Sequence, residues 1–323
     1  MKNSCNNSCG VNSCGGGRNR RNDGLVLSTG VGVAILSSVI TISGSGKKST
    51  AAPAAVEAPA AAAESEEPDG SKLVKPSLVA STDGLSPGGA SVLAVAFDIS
   101  KGWHTYWQNS GDSGAPPSFE FSVDPPGAVV IGEAKWATPE RHVSPGDILD
   151  YIYEGRVLHL FEAKAAPDLK VGTTVTVTCK ASWLVCNEGC IPGEGGASLQ
   201  LTVKEAAPAS GDAAEIGAWM SRTPKQWGAS GESPAAEWKD GVLRVRAASK
   251  GPIAFFPFAE QGDVVPVNLL KGGESREGIL TLRFDDADMK KGGAVRGVVA
   301  IGGRTGTAWN LQIPVPAANN DRK

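Results

Sequence analysis

The chain has 323 residues, 41% of them apolar and 20% charged, enough to build the cores of about two ordinary domains. Net charge is only -3, with acidic and basic residues interspersed through the second half. That excludes a basic surface for nucleic acid and an acidic interaction tail.

Residues 1–24 are rich in Asn, Ser, Gly and Cys and end in Arg18, Arg20 and Arg21, a composition that cannot bury a core. The segment is expected to be disordered. Leu25 to Gly44 is uncharged and mostly apolar, roughly the 20 residues a helix needs to cross about 30 Å of hydrocarbon. Residues 25–45 are therefore expected to be a membrane anchor, and the arginines before them favour a cytoplasmic N-terminus. A cleaved signal peptide is the alternative, but Lys47 and Lys48 stand where a small-residue cleavage site would fall. Residues 46–71, dominated by Ala, Pro, Glu and Ser, have the makeup of an extended tether.

From there on, short alternating segments are separated by Gly, Pro, Asp and Asn, which is the pattern of an antiparallel sandwich rather than of βαβ units. Leu93, Val95, Phe97 and Ile99 alternate with smaller or polar neighbours. Further strands are expected at Phe119 to Val123, Ala128 to Trp136, Arg156 to Lys164, Thr173 to Cys186 and Ala197 to Val203. They fill one sandwich over residues 72–204. A polar, Ala-rich connector over residues 205–235 includes a short helix at Ala214 to Ser221. Strand signals resume at Gly241 to Ala247, Ile253 to Phe258, Val264 to Leu269, Ile279 to Phe284, Val295 to Ile301 and Ala308 to Val315. Residues 236–323 thus read as a second, smaller β domain, and the whole chain as all-β.

Six cysteines fall into two groups that the expected membrane segment separates, and the two groups would face different redox compartments. Cys5, Cys9 and Cys14 lie in a tract without histidine and are assigned no function. In the second group, Val175, Val177, Cys179, Ala181 and Trp183 share one face of a strand by two-residue periodicity, so Cys179 reads as core. Cys186 has the opposite parity and cannot reach Cys179 along the same strand. Asn187, Glu188 and Gly189 have the length of a three-residue hairpin turn, with Gly189 at the position that takes positive φ. Cys186 and Cys190 then stand opposite each other at a distance a disulfide spans.

Three roles are open for the pair: redox exchange, a structural bridge, or metal ligation. As a staple it would close about five residues and contribute only about 2 kcal/mol, in a turn that already constrains them. A bridge at an exposed tip is accessible to an attacking thiolate, which favours redox chemistry. Trp103, His104, Tyr106 and Trp107 form an aromatic cluster that reads as core, and His142 and His159 are too isolated to complete a metal set. No metal site and no cofactor is expected.

Four stretches, GWHTYWQNSGDSG (Gly102 to Gly114), KWATPER (Lys135 to Arg141), DYIYEG (Asp150 to Gly155) and WLVCNEGCIP (Trp183 to Pro192), resemble the N-terminal periplasmic domain of the DsbD family of thiol:disulfide interchange proteins, in its ScsB-like branch. FFPF (Phe255 to Phe258) is similar to the second β subdomain of that branch. The resemblance implies an immunoglobulin-like sandwich on the periplasmic side of the inner membrane. Its cysteine pair takes reducing equivalents from a thioredoxin-like domain or a membrane electron carrier of DsbD type and passes them to oxidised periplasmic client proteins, as one component of a protein-disulfide reductase. It also implies a cap loop over the pair, here Val143 to Tyr151, with Ile148, Leu149 and Tyr151 as shielding side chains. Asp147 and Asp150 would tune the thiols, since a nearby carboxylate disfavours thiolate.

Against the family pattern the cysteine spacing is shorter and Cys179 is an extra thiol, and neither a multi-spanning nor a thioredoxin-like region is expected among these 323 residues. A separate electron carrier is implied. The rival reading from another class is a non-catalytic binding or scaffold sandwich whose disulfide holds a hairpin.

Overall fold

The computed structural model describes residues 69–228, 233–248, 250–303 and 306–316. The expected disordered segment, membrane anchor and most of the tether lie outside the described residues. Among the described residues no helix is long and apolar enough to cross a membrane.

Ten strands make the first pair of sheets: β1 (Val74–Ala80), β2 (Ala90–Ile99), β3 (His104–Gly111), β4 (Ser118–Asp124), β5 (Val129–Lys135), β6 (Glu140–Ser144), β7 (Ile148–Glu154), β8 (Arg156–Ala165), β9 (Thr174–Cys186) and β10 (Cys190–Thr202). One sheet runs β1-β2-β8-β5 and the other β10-β9-β3-β7-β6, with β4 also paired to β9. The two sheets pack face to face: the Phe97 ring of β2 lies 4.9 Å from Trp183 of β9, and Phe161 of β8 lies 4.7 Å from Phe121 of β4. Val175, Val177, Cys179, Ala181 and Trp183 are all buried, as their two-residue spacing requires.

Strand β2 departs from simple alternation, because Ala94 and Ala96 are buried along with Leu93, Val95 and Phe97. Its neighbour β8 is in contact with helix α1 (Ala213–Met220), whose Ile216 and Trp219 join the same apolar cluster. The helix falls one residue from its expected limits. Strand β10 begins at Cys190, well before the expected Ala197, and pairs with β9 along all of its length.

The remaining elements are β11 (Lys225–Gln226), β12 (Ala235–Lys239), β13 (Val242–Arg246), β14 (Ile253–Pro257), α2 (Leu269–Gly272), β15 (Glu274–Ser275), β16 (Ile279–Leu282), α3 (Asp286–Lys291), β17 (Ala294–Ile301) and β18 (Thr307–Pro314). They form a five-stranded sheet, β11-β18-β17-β14-β15, and a three-stranded sheet, β12-β13-β16. The expected strand at Val264 to Leu269 does not form. Pro266 lacks a donor for a ladder and Asn268 adopts a left-handed φ of 56°, so only the isolated bridge of Val267 to Arg283 remains before α2 begins.

The two faces of the five-stranded sheet serve different cores. Phe255, Val299 and Leu311 pack with Leu243 and Leu282 inside the second pair of sheets. Phe256, Val298, Ala300 and Ala308, which have the opposite parity, join the core of the first sandwich. The Phe256 ring lies 5.3 Å from Tyr151 of β7 and 6.1 Å from Trp107 of β3. Polar contacts tie the same seam: Asn109 Nδ2 donates to the Pro257 carbonyl at 2.8 Å, and Arg141 Nη2 donates to the carbonyls of Leu269 and Leu270 at 2.8 and 3.1 Å.

Candidate active site

Cys186 and Cys190 are bonded to each other across the β9–β10 turn, with Cα atoms 4.2 Å apart. They are directly opposed in the ladder. Cys179 is a free thiol, 1% exposed, and burial pushes its pKa up to about 11 against a backbone hydrogen bond at Glu120 that lowers it. Strand parity keeps it on the core face, away from the disulfide. Gly189 is not among the glycines of positive φ; the turn is instead closed by the Asn187 N–H donating to the Gly189 carbonyl at 3.2 Å.

The tip is not exposed on both sides. Cys190 is exposed, whereas Cys186 is 2% exposed and packs with Tyr106, Ile152 and Leu184. This cover comes from a change of neighbour along β9: its free edge pairs with β4 from Thr176 to Ser182 and with β3 at Cys186. His104 is therefore opposite Cys186, and Glu154 of β7 is opposite His104. Directly opposed residues point to one face of a sheet, so Cys190, Cys186, His104 and Glu154 form a row across four strands.

One step along, Tyr106 stands over the disulfide, its Oη 3.4 Å from Cys190 Sγ. An oxidised sulfur carries no proton, so the hydroxyl donates. Burial raises the Tyr106 pKa, a hydrogen bond with Ser113 opposes this, and the Asp150 carboxylate adds to it. The ladder between β3 and β7 slips between Tyr106 and Gly111, a bulge that re-aims the residues beyond it. Ser113 follows, and both its N–H and its hydroxyl donate to the Asp150 carboxylate at 2.8 Å.

The residues expected as a cap loop, Val143 to Tyr151, are most of a two-stranded hairpin made by β6 and β7. Alternation along β7 divides the expected cap residues. Ile148 and Asp150 line a groove of about 590 Å³ together with His104, Tyr106, His142 and both cysteines. Leu149 and Tyr151 point the other way, into the core, where Tyr151 meets Trp107 and Phe256. They do not shield the disulfide. Burial pushes the Tyr151 pKa up to about 12, with Arg141 opposing and Asp112 adding. Asp147 sits exposed at the hairpin turn with φ of 63° and is not part of the groove lining.

The aromatic cluster of β3 is divided by the same rule: Trp107 is core, while His104 and Tyr106 lie on the disulfide face. His142 is not isolated, since its ring is 5.0 Å from that of His104. Burial is the main cause lowering the His104 pKa; the charge of His142 adds to it, and Asp150 and Glu154 oppose it. His159 does stand apart, among core aromatics. Among the described residues no group of three or more His, Cys, Asp or Glu side chains is placed to hold a metal ion. Tyr106, His104, His142 and Ser113 are the site residues that sequence reasoning missed. The two-residue spacing of His104 and Tyr106 put them on one face, but nothing in the sequence paired that face with Cys186.

Residues 71–202 match the family model of the N-terminal region of the thiol:disulfide interchange protein DsbD. No curated protein matches the chain. Among solved structures, the N-terminal periplasmic domain of ScsB from Proteus mirabilis is similar at 20% identity, covering 74% of this chain and 93% of that one with a TM-score of 0.47. The reduced N-terminal domain of DsbD from Neisseria meningitidis aligns at 14% identity, over 46% of this chain and 98% of that one, with a TM-score of 0.24.

Proposed function

We propose that the protein is an extracytoplasmic thiol-disulfide exchange component that passes reducing equivalents from a thioredoxin-like donor, or a membrane carrier of DsbD type, to oxidised client proteins, because residues 71–202 match the family model of the DsbD N-terminal region and Cys186 and Cys190 within them are bonded to each other. Its place is the periplasmic side of the inner membrane, with residues 25–45 as anchor and an immunoglobulin-like sandwich as the working domain. The cysteines Cys186 and Cys190 carry the chemistry.

The observation that supports this reading best is the inequality of the two sulfurs. Cys190 is exposed at the groove while Cys186 is buried beneath Tyr106. Exchange proceeds by attack of a thiolate on one sulfur through a mixed disulfide. A donor thiolate bonds to Cys190 Sγ, the bond between the cysteines breaks, and its electron pair leaves on Cys186. The donor's second thiolate then attacks its own bonded sulfur and releases Cys190, so the donor ends oxidised and the protein ends as a dithiol. Delivery to a client is the reverse sequence, begun by Cys190.

The test mixes the full chain carrying Cys186→Ser, whose Cys190 is then a free thiol, with a thioredoxin that keeps only its attacking cysteine, activated as a mixed disulfide with thionitrobenzoate, which leaves as Cys190 attacks. A covalent complex through Cys190 is expected, and Cys190→Ser should form none. A wild-type bridge that resists excess reduced thioredoxin would sink the proposal.

A further inference from the structure

The two sulfurs differ in what happens to the charge they receive. When Cys190 is attacked, a thiolate is left on Cys186, which is 2% exposed and covered by Tyr106, Ile152 and Leu184. Desolvation opposes that charged form. The ladder places one ionisable ring against it: His104 is directly opposite Cys186, and such pairs share a face with Cβ atoms about 4.5–5.5 Å apart. His104 is itself buried, but its ring is 5.0 Å from that of His142, which is only half-buried. Both rings and both sulfurs line the same groove.

We propose that His104, linked to solvent through His142, is the proton donor and acceptor for Cys186 during exchange. This rests on the exchange reaction proposed above. In the accepting direction, the electron pair of the broken bond arrives on Cys186 and a proton follows from the His104 imidazolium, which is recharged from water through His142. In the delivering direction, Cys190 as thiolate bonds to one client sulfur and expels the other as thiolate. Cys186 then gives its proton to neutral His104, attacks Cys190 Sγ and releases the first client sulfur as the disulfide re-forms. The groups that face His104 are His142 from β6, Asp150 and Glu154 from β7, Tyr106 from its own strand and Cys186 from β9. Burial keeps His104 mainly neutral near pH 7, which suits it to take the proton from Cys186 and makes the accepting direction faster in mild acid.

The oxidised full chain is reduced with dithiothreitol across a pH series, and each rate is divided by the concentration of dithiothreitol thiolate. The wild-type value should rise as pH falls through the histidine range. His104→Gln should give a flat profile, slower by about 100-fold at the acid end, and His142→Gln should slow the reaction less. Superimposable profiles for wild type and His104→Gln overturn the inference while leaving the exchange reading intact. Failure of dithiothreitol to reduce the wild type overturns both. A measurement that needs no variant is the NMR titration of the His104 ring in the oxidised and reduced protein: its pKa should rise on reduction, when Cys186 becomes able to carry charge, and an unchanged pKa overturns the assignment.

Discussion

His159 is enclosed by the rings of Phe97, Phe119, Trp136 and Tyr153, with centroids 4.8 to 5.9 Å away, and its Nε2 is buried without a hydrogen-bond partner. Burial pushes its pKa down to about 3. In the unfolded chain the same ring titrates near the ordinary histidine value of about 6.5. Between those two values the unfolded state binds the extra proton. Stability from keeping this ring neutral is therefore complete above about pH 6.5 and is lost, at about 1.4 kcal/mol per pH unit, as pH falls toward about 3. His159→Phe retains the ring contacts and removes both the titration and the orphaned nitrogen. Its denaturant midpoint at neutral pH should match or exceed that of the wild type, and its loss of stability from about pH 6 to about pH 4 should be visibly shallower. Equal slopes in the two proteins would remove His159 as a source of acid lability. At this scale the sequence was informative where periodicity alone decides, as for Cys179 on the core face. It was uninformative about Cys186, whose burial depends on Tyr106 and Ile152 from two other strands.

Strands β3 and β7 were not legible as strands, for a physical reason that also explains the site. A half-buried strand announces itself by alternation, but β7 is buried at Leu149, Asp150, Tyr151, Ile152 and Tyr153 in succession. Both of its faces are covered, so its sequence reads as a continuous run. In β1, Pro76 obscured the signal, since proline is rare within strands. The turn between β9 and β10 was legible because Cys186 and Cys190 are close in sequence, whereas the equally short β6–β7 hairpin reads in the sequence only as a loop. The loop after β3 has its own constraint. Gly114 has φ of 72°, and a Cβ there would lie 2.1 Å from the Tyr106 ring. Gly114→Ala must push that ring off the disulfide. We expect a loss of about 1–3 kcal/mol in denaturant unfolding, together with faster reduction of the bridge by a small thiol. Unchanged reduction kinetics would show that Tyr106 does not guard Cys190.

At the scale of the whole molecule, the hairpin of β6 and β7 is held from behind by the second pair of sheets. Arg141 is 8% exposed at its side chain; its Nη2 donates to the carbonyls of Leu269 and Leu270, and its Nε lies 3.5 Å from Glu274 Oε2. Removing a charged donor from these part-buried carbonyls costs about 1–2 kcal/mol. Arg141→Ala should lower stability by that amount and loosen the hairpin beside the groove, read as a lower protection of the β6 amides in hydrogen exchange. Wild-type protection there would separate the two regions mechanically.

Strand β7 is a partition one side chain thick. Ile148 and Asp150 line the redox groove and Ile152 packs with Cys186, whereas Leu149 and Tyr151 between them touch the core that Phe256 enters from β14. Covalent change on one side of such a partition is felt on the other, because close-packed side chains pass displacement on rather than absorb it. Opening the Cys186–Cys190 bond, or pressing a partner's thiol against Cys190, therefore loads the strand that also supports the far sheets. Amide exchange at Phe255 to Pro257 should differ between the oxidised and reduced protein, although neither cysteine touches β14. The far half of the chain would then report the redox state to whatever meets its outer surface.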